Sequence, residues 1–330
     1  MPELLHSSND NKKNITQDQQ NLTFDCQKLP QEMQQISPQR TTFALEQINK
    51  YLGMCLPDMT LAQKKDIMVK SDQMYAQFLT INRTPDQQKA FETYVVDKAQ
   101  IPNIQQTFFE KLNQRDQYLL RHQGQGYLEI VEANDGHLVY RRSPQYLANI
   151  FAPFFPEAEK VFMQELAQQN KEPLLSNNKF KISAQEITRR ALFWENYLKH
   201  YPNTSYQKDA SYLLKFYSTL LFIGTEIQPV STRYEDHLDI QISNLMEIEA
   251  LAKHKNSRLA DQARKFLTFI AMNEEQREKD IPLSAKVMDT ASQSEHDLAV
   301  AQLAQFLGLT LFPLSEIEKR NCFNDAICHD

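Results

Sequence analysis

From about residue 41 onward the apolar residues return at helical spacing. Phe43, Ile48 and Tyr51-Leu52 form a first short stripe. Thr60 caps a longer one through Leu61, Ile67, Met74-Tyr75 and Phe78-Leu79. Thr84-Pro85 combines an N-cap with a proline at the first helical position, ahead of Phe91, Tyr94 and Val95. Another helix is expected after Pro102, carrying Ile104, Phe108, Leu112 and Leu119. At Gly124-Gln125-Gly126 the period changes. Tyr127 to Glu132 and His137 to Arg142 read as strands around the turn sequence Asn134-Asp135-Gly136. A lone two-stranded hairpin is marginal in water, so one face has to pack on helices. Alternation gives that role to Leu128, Ile130, Leu138 and Tyr140, and turns Glu129, His137 and Val139 toward solvent or a partner. Glu129 and His137 are therefore the candidate partner-binding residues.

Pro144, Pro153 and Pro156 mark a bent connection, and helical pattern resumes from Glu157 to about Asn170. A polar loop over about 171–182 places a subdomain boundary. Ser183-Ala184-Gln185-Glu186 has the form of a capping box. Its helix carries Ile187, Ala191, Trp194, Tyr197-Leu198 and Tyr201, and Pro202-Asn203 stops it. The next is expected to start at Thr204 or Ser205 and to end at Gly224. Later helices are expected over about 233–254, 257–275 and 293–307. The pattern predicts an all-α fold of helical hairpins with one small β-hairpin near 127–142. It divides into a flexible polar leader (1–40), an N-terminal helical subdomain with the β-hairpin (41–170) and a C-terminal helical subdomain (183–330).

Two stretches match each other. Lys199-His200 aligns with Lys253-His254, Asn203 with Asn256, Ala210 with Ala263, Leu214 with Leu267 and Phe216 with Phe269. A weaker copy runs from Tyr75 and Phe78-Leu79 through Thr84-Pro85 to Ala90. Each copy is a helix, a tight polar turn and a second helix whose small alanine allows close approach. Trp194, Tyr197, Leu198, Tyr201, Pro202, Asn203, Thr204 and Ala210 give residues 183–224 a pattern that resembles tetratricopeptide-type helical hairpins. The likeness is to those of Gram-negative periplasmic and outer-membrane-associated lipoproteins, and it extends more faintly over 245–272. The copies lie about 54 and about 119 residues apart, not 34, so the expectation is TPR-like but irregular. The resemblance implies a cell-envelope protein that binds other proteins.

Composition narrows the classes. The chain has 330 residues and only 6 glycines, where average usage would give about 23. Doubly wound α/β folds and phosphate-cradling loops need more. The net charge of −6 argues against a nucleic-acid partner. No run approaches a membrane span, mean hydropathy is −0.57, and Met1 to Asn21 lacks the apolar core of a signal peptide. Cys26, Cys55, Cys322 and Cys328 bracket the two ends of the chain. Either all four are free in a cytoplasmic protein, or they form two bridges in the periplasm or outside the cell. Position favours Cys26–Cys55 and Cys322–Cys328, and the second pair demands a turn, because residues six apart in a helix are separated by about 9 Å of rise. Asn324-Asp325 can supply it. A metal site at Cys322, Cys328 and His329 lacks the paired-ligand spacing.

The chain carries no cofactor motif and no catalytic signature such as H-E-x-x-H, G-x-S-x-G or C-x-x-C. The group Tyr234-Glu235-Asp236-His237 with Asp239 reads as a solvated helix start. Glu129, Glu132, Asp135 and His137 read as the polar face of the hairpin. Trp194, Tyr197, Tyr201, Tyr206 and Tyr217 read as core. The leading expectation is a non-enzymatic interaction protein of the bacterial envelope, binding another protein or an envelope component. Its rivals are an all-α enzyme acting on a glycan or small molecule, and an inhibitor or immunity protein against a toxin or lytic enzyme.

Overall fold

A computed structural model describes residues 24–100, 106–133, 136–171, 174–176, 179–284, 294–311 and 321–329. Pro102, Ile104, Asn134 and Asp135 lie outside the described residues. The first half holds α1 (Leu29–Gln34), α2 (Thr42–Cys55), α3 (Leu61–Phe78), α4 (Pro85–Gln100), α5 (Gln106–Phe109) and α6 (Gln114–Arg121). An antiparallel hairpin follows, β1 (Leu128–Glu132) with β2 (Leu138–Arg142). After a π-helical turn at Leu147–Phe151 come α7 (Glu157–Gln169) and a two-residue ladder, β3 (Leu175–Ser176) with β4 (Lys179–Phe180). Then follow α8 (Ala184–His200), α9 (Gln207–Phe222), α10 (Ile242–Ala252), α11 (Arg258–Ile270), α12 (Glu274–Asp280) and α13 (Glu295–Leu307). The fold is all-α with one β-hairpin, as the periodicity predicts.

Helix starts follow their caps, and two departures have local causes. Thr60 and Gln63 form both bonds of a capping box, and so do Thr84 and Gln87. At Ser183 only half of the expected box forms. Ser183 accepts from the Glu186 N–H, but the Glu186 carboxylate turns away to Arg189 and Arg190. The helix expected from about 233 begins instead at Ile242. Ahead of it the Asp236 carboxylate accepts from the N–H groups of Leu238 and Asp239, which fixes a 3₁₀ turn, and Ser231 bridges to Ile240. Farther on, Asn273 and Gln276 form a new capping box, so α11 ends at Ile270 and α12 starts separately.

The expected leader is not loose throughout. Leu29, Met33 and Ile36 are buried, Phe24 stacks on Tyr51 with centroids 3.7 Å apart, and Cys26 is bonded to Cys55. The cross-link holds this apolar-poor segment against α2. Residues 1–23 lie outside the described residues.

In the second half, α8 pairs with α9 and α10 with α11, and α8 also packs against α10 and α11. Their core contains Trp194, Phe216, Tyr217, Phe222, Phe266 and Phe269. Ala210 and Ala263, matched in sequence, are both 0% exposed. A second core in the first half gathers Leu45, Leu52, Tyr75, Phe78, Tyr146 and Phe151. The two cores share α7, which gives Phe162 and Leu166 to one and Met163 and Ala167 to the other. A third, smaller cluster of Phe91, Tyr94, Phe109, Leu112 and Leu120 receives Ile130, Leu138 and Tyr140 from the hairpin. The upstream repeat copy is divided by this arrangement. Met74, Tyr75 and Phe78 of α3 stay in the second core, while Phe91 and Tyr94 of α4 enter the third.

Candidate functional site

Register places Glu129 opposite Arg141 and Val131 opposite Val139. The face chosen by alternation is the one that packs. Leu128 is buried, and Ile130, Leu138 and Tyr140 lie against the small cluster. α4 closes the outer edge of β2. Gln88 Nε2 donates to Leu138 O at 3.0 Å, and the Glu92 carboxylate accepts from Leu138 N–H at 3.2 Å. His137 Nδ1 lies 2.8 Å from the same carboxylate. Burial pushes the Glu92 carboxyl up, but the bonds from Gln88, His137 and Leu138 outweigh it and set its pKa below the ordinary value. At the other end Arg141 Nε donates to Glu129 at 2.6 Å, and Arg141 Nη2 donates to Asn170 O at 2.8 Å. His137 lies beyond the turn end of the Glu129–Arg141 ladder, so Glu129 and His137 stand roughly 13 Å apart along the hairpin at about 3.3 Å per residue. The structure does not gather them into one constellation.

The second face of the hairpin is the wall of a groove of about 270 Å³. α3 and the loop Asn321–His329 form its other sides. Ala76, Leu79, Val131 and Val139 line it with apolar surface, and Asp72, Glu132, Arg142, Asp325 and His329 line it with charge. The loop is closed twice. Cys322 is bonded to Cys328 with Cα atoms 4.0 Å apart, and Asn321 and His329 exchange backbone bonds of 3.0 and 3.1 Å. The turn that the spacing requires is present. Asn170 Nδ2 anchors it from the end of α7 by donating to Cys322 O at 2.8 Å and Asp325 O at 2.7 Å.

Arg142 is the centre of the groove's charge. It is 7% exposed and ion-paired to Asp72 at 2.6 Å and to Asp325. Its guanidinium also stands 4.7 Å from the Tyr146 ring centroid and 5.3 Å from that of Tyr75. Burial pulls the Arg142 pKa down, but Asp325 and Asp72 more than reverse this and hold it charged. The two aspartates respond oppositely. Burial dominates at Asp72 and pushes it up, against the pull of Arg142. Burial also pushes Asp325 up, but Arg142, His329 and the Ala326 N–H together bring it below the ordinary value. His329 Nε2 is 3.6 Å from Asp325, and that carboxylate raises the imidazole pKa despite burial. Chemically, the arrangement is one buried cation shared by two carboxylates, with a titratable imidazole at its rim.

Glu132 joins the groove and pairs with Lys181 at 3.6 Å, while Asp135 lies outside the described residues. Asp236 and Asp239 are engaged by backbone N–H groups of their own turn, and His237 is exposed beside them. Trp194, Tyr197 and Tyr217 are buried, with Trp194 Nε1 donating to Gln169 Oε1 at 3.3 Å. Cys322 and Cys328 lie near Asp209, but their bond to each other leaves neither as a thiolate ligand. Sequence reasoning did not single out Asp72, Arg142 or Asp325 as groove residues. The one signal available was the Cys322–Cys328 spacing, which puts Asp325 in a tight loop.

Among the described residues, no helix is long and apolar enough to cross a membrane. Both cysteine pairs are disulfides, which is compatible with an oxidising location outside the cytoplasm. Compared with family models, curated proteins and solved structures, the chain has no significant match in any of the three.

Proposed function

We propose that the protein is a non-enzymatic helical interaction protein of the bacterial cell envelope, periplasmic or secreted. It binds another protein or an envelope component through the hairpin and its groove. The observation that carries this reading is the use of the charges in the groove and on the hairpin around it. Arg142 takes both aspartates, Arg141 takes Glu129, and Glu92 takes His137. They fasten the hairpin to α3, α4 and the C-terminal loop, and the apolar wall of Ala76, Leu79, Val131 and Val139 is left as surface for a partner. Support for the envelope comes from the two disulfides and from the sequence resemblance of the packed helix pairs to tetratricopeptide-type hairpins. Affinity capture from the native envelope, read by mass spectrometry, tests it. The expected result is a partner retained by the wild type and weakened by Glu129→Ala with His137→Ala, at unchanged helical circular dichroism. Capture by that variant at the wild-type level would remove the hairpin as the binding element.

The second reading, an all-α enzyme acting on a glycan or small molecule, is favoured by one observation. Asp72 and Asp325 share a groove, and their pKa values are pushed in opposite directions, as in an acid–base pair. Asp72→Asn separates the readings. Intact partner capture supports the interaction protein, whereas abolished turnover of an envelope glycan with the fold preserved supports the enzyme.

A further inference from the structure

We propose that the pocket between α8, α9, α11 and the segment after α13 binds a short aliphatic carboxylate, a small organic anion with an alkyl body of about six carbon atoms. The cavity measures about 160 Å³. It shares no lining residue with the hairpin groove, so the proposal stands or falls independently of the interaction reading. Leu198, Leu214, Leu259 and Leu309 supply apolar walls, and Lys215 and Arg258 line the pocket with positive charge. The walls are braced without help from an occupant. Glu195 of α8 accepts from Ser257 Oγ at 2.6 Å and from the Leu259 N–H at 2.9 Å, which fixes the start of α11. Gln262 Nε2 of α11 donates to Leu307 O at 2.9 Å. Gly308, at φ +65°, turns the chain after α13, and Thr219 Oγ1 of α9 holds the turned segment by donating to Thr310 O at 2.7 Å. Each wall is thus tied to another by a side-chain bond, and a pocket already formed has little left to order when it fills.

Charge identifies the occupant. Lys215 and Arg258 are exposed members of the lining, and among the described residues neither has an ion-pair partner. Glu195, the carboxylate in the lining, is already met by its two donors at the start of α11. Two uncommitted cations therefore stand beside apolar surface, in a chain whose net charge is −6. A neutral hydrocarbon would leave both cations unused. A bare inorganic anion would leave the leucine walls facing water. An alkyl carboxylate satisfies both sets of groups. The volume sets its length. A cavity of about 150 Å³ takes a molecule the size of benzene, so the body is about six carbons rather than a long acyl chain.

Calorimetric titration of the full chain with sodium hexanoate is the test. The expected result is saturable one-to-one binding, half-saturated at about 1 mM or below. Acetate, which lacks the body, and hexan-1-ol, which lacks the charge, should each bind at least about fivefold more weakly. Lys215→Gln with Arg258→Gln alters only exposed side chains. It should weaken hexanoate binding about fivefold and leave both the thermal midpoint and hexan-1-ol binding unchanged. Ser211→Phe places a ring on a half-buried lining position and should abolish binding of both compounds, with helical circular dichroism retained. The glutamine pair decides the matter if the phenylalanine variant does not fold. Absence of saturable hexanoate binding by the wild type would overturn the proposal. So would acetate binding as tightly as hexanoate, which would mean surface ion pairing only, or hexan-1-ol doing so, which would mean that the cations play no part. Wild-type affinity in the glutamine variant would overturn it as well.

Discussion

Arg142 joins three parts of the chain that are far apart in sequence: β2, α3 through Asp72, and the C-terminal loop through Asp325. Removing the cation would leave two carboxylates facing each other in a poorly solvated site. Arg142→Met is expected to cost about 3–5 kcal/mol in chemical denaturation, the range for breaking a buried pair on one side. An unchanged midpoint would mean that the clasp carries no stability. His329 adds a pH dependence. Its folded pKa is raised by Asp325, so the protonated ring favours the folded state. That contribution is fully present below the ordinary value of 6.5 and is lost as pH rises through the raised one. The thermal midpoint should fall across this window in the wild type and less in His329→Gln. Gly224 is a purely steric case. Its φ is +83°, and an added Cβ would lie 2.3 Å from Gln228 O. Gly224→Ala should therefore destabilise by more than the roughly 1–2 kcal/mol of a left-handed alanine. None of these three roles was open to sequence inspection except that of Gly224, whose place after an apolar helical run marks it as a C′ residue. Asp72 and Arg142 look like ordinary polar residues on amphipathic elements, and only the tertiary approach of the C-terminal loop gives them their partners.

Single elements were legible wherever local chemistry decides the outcome. Thr60, Thr84 and Gly308 sit where the sequence predicts helix starts and an end. The α8–α9 pair follows its apolar period from Ala184 to Phe222. Legibility fails where side chains compete for the same partner. Glu186 abandons the capping box because Arg189 and Arg190 offer charge-assisted bonds. Those bonds, led by Arg189, lower its pKa from 4.5 to about 2. The stabilisation is thus present above pH 4.5 and lost as pH falls through about 2. Glu186→Gln should flatten the acid limb of helix loss in circular dichroism. α9 starts at Gln207, later than expected, because Thr204 and Ser205 are engaged by Tyr197 of α8 and Glu159 of α7. Ala210 tests the pairing itself. It is 0% exposed, and Ala210→Leu should cost about 1–3 kcal/mol by overpacking. An unaltered thermal midpoint would show that the helices do not need the small residue there.

At the scale of the whole molecule, a disulfide lies near each end of the described chain, and the loop closed by the second is held to the body by Asn170 and Arg142. Cys26–Cys55 fastens the first described segment to α2, and Cys322–Cys328 shapes the loop that closes the hairpin groove. Both pairings were readable from the clustering of cysteines at the chain ends. The groove was not, because it needs β2, α3 and the C-terminal loop at once. Protein purified without reductant should show no free thiol under denaturing conditions, and four titratable thiols would remove the support for an oxidising compartment. The central claim is that the groove beside the hairpin meets a partner in the envelope. Its most direct test is photo-cross-linking in the native cell, with the reactive group placed at Val139 in the groove wall and, for comparison, at exposed Lys199 on α8. The account predicts one discrete adduct from position 139 and none from 199, with the 139 adduct lost on Glu129→Ala with His137→Ala. No adduct from position 139, or the same adducts from both positions, would contradict it.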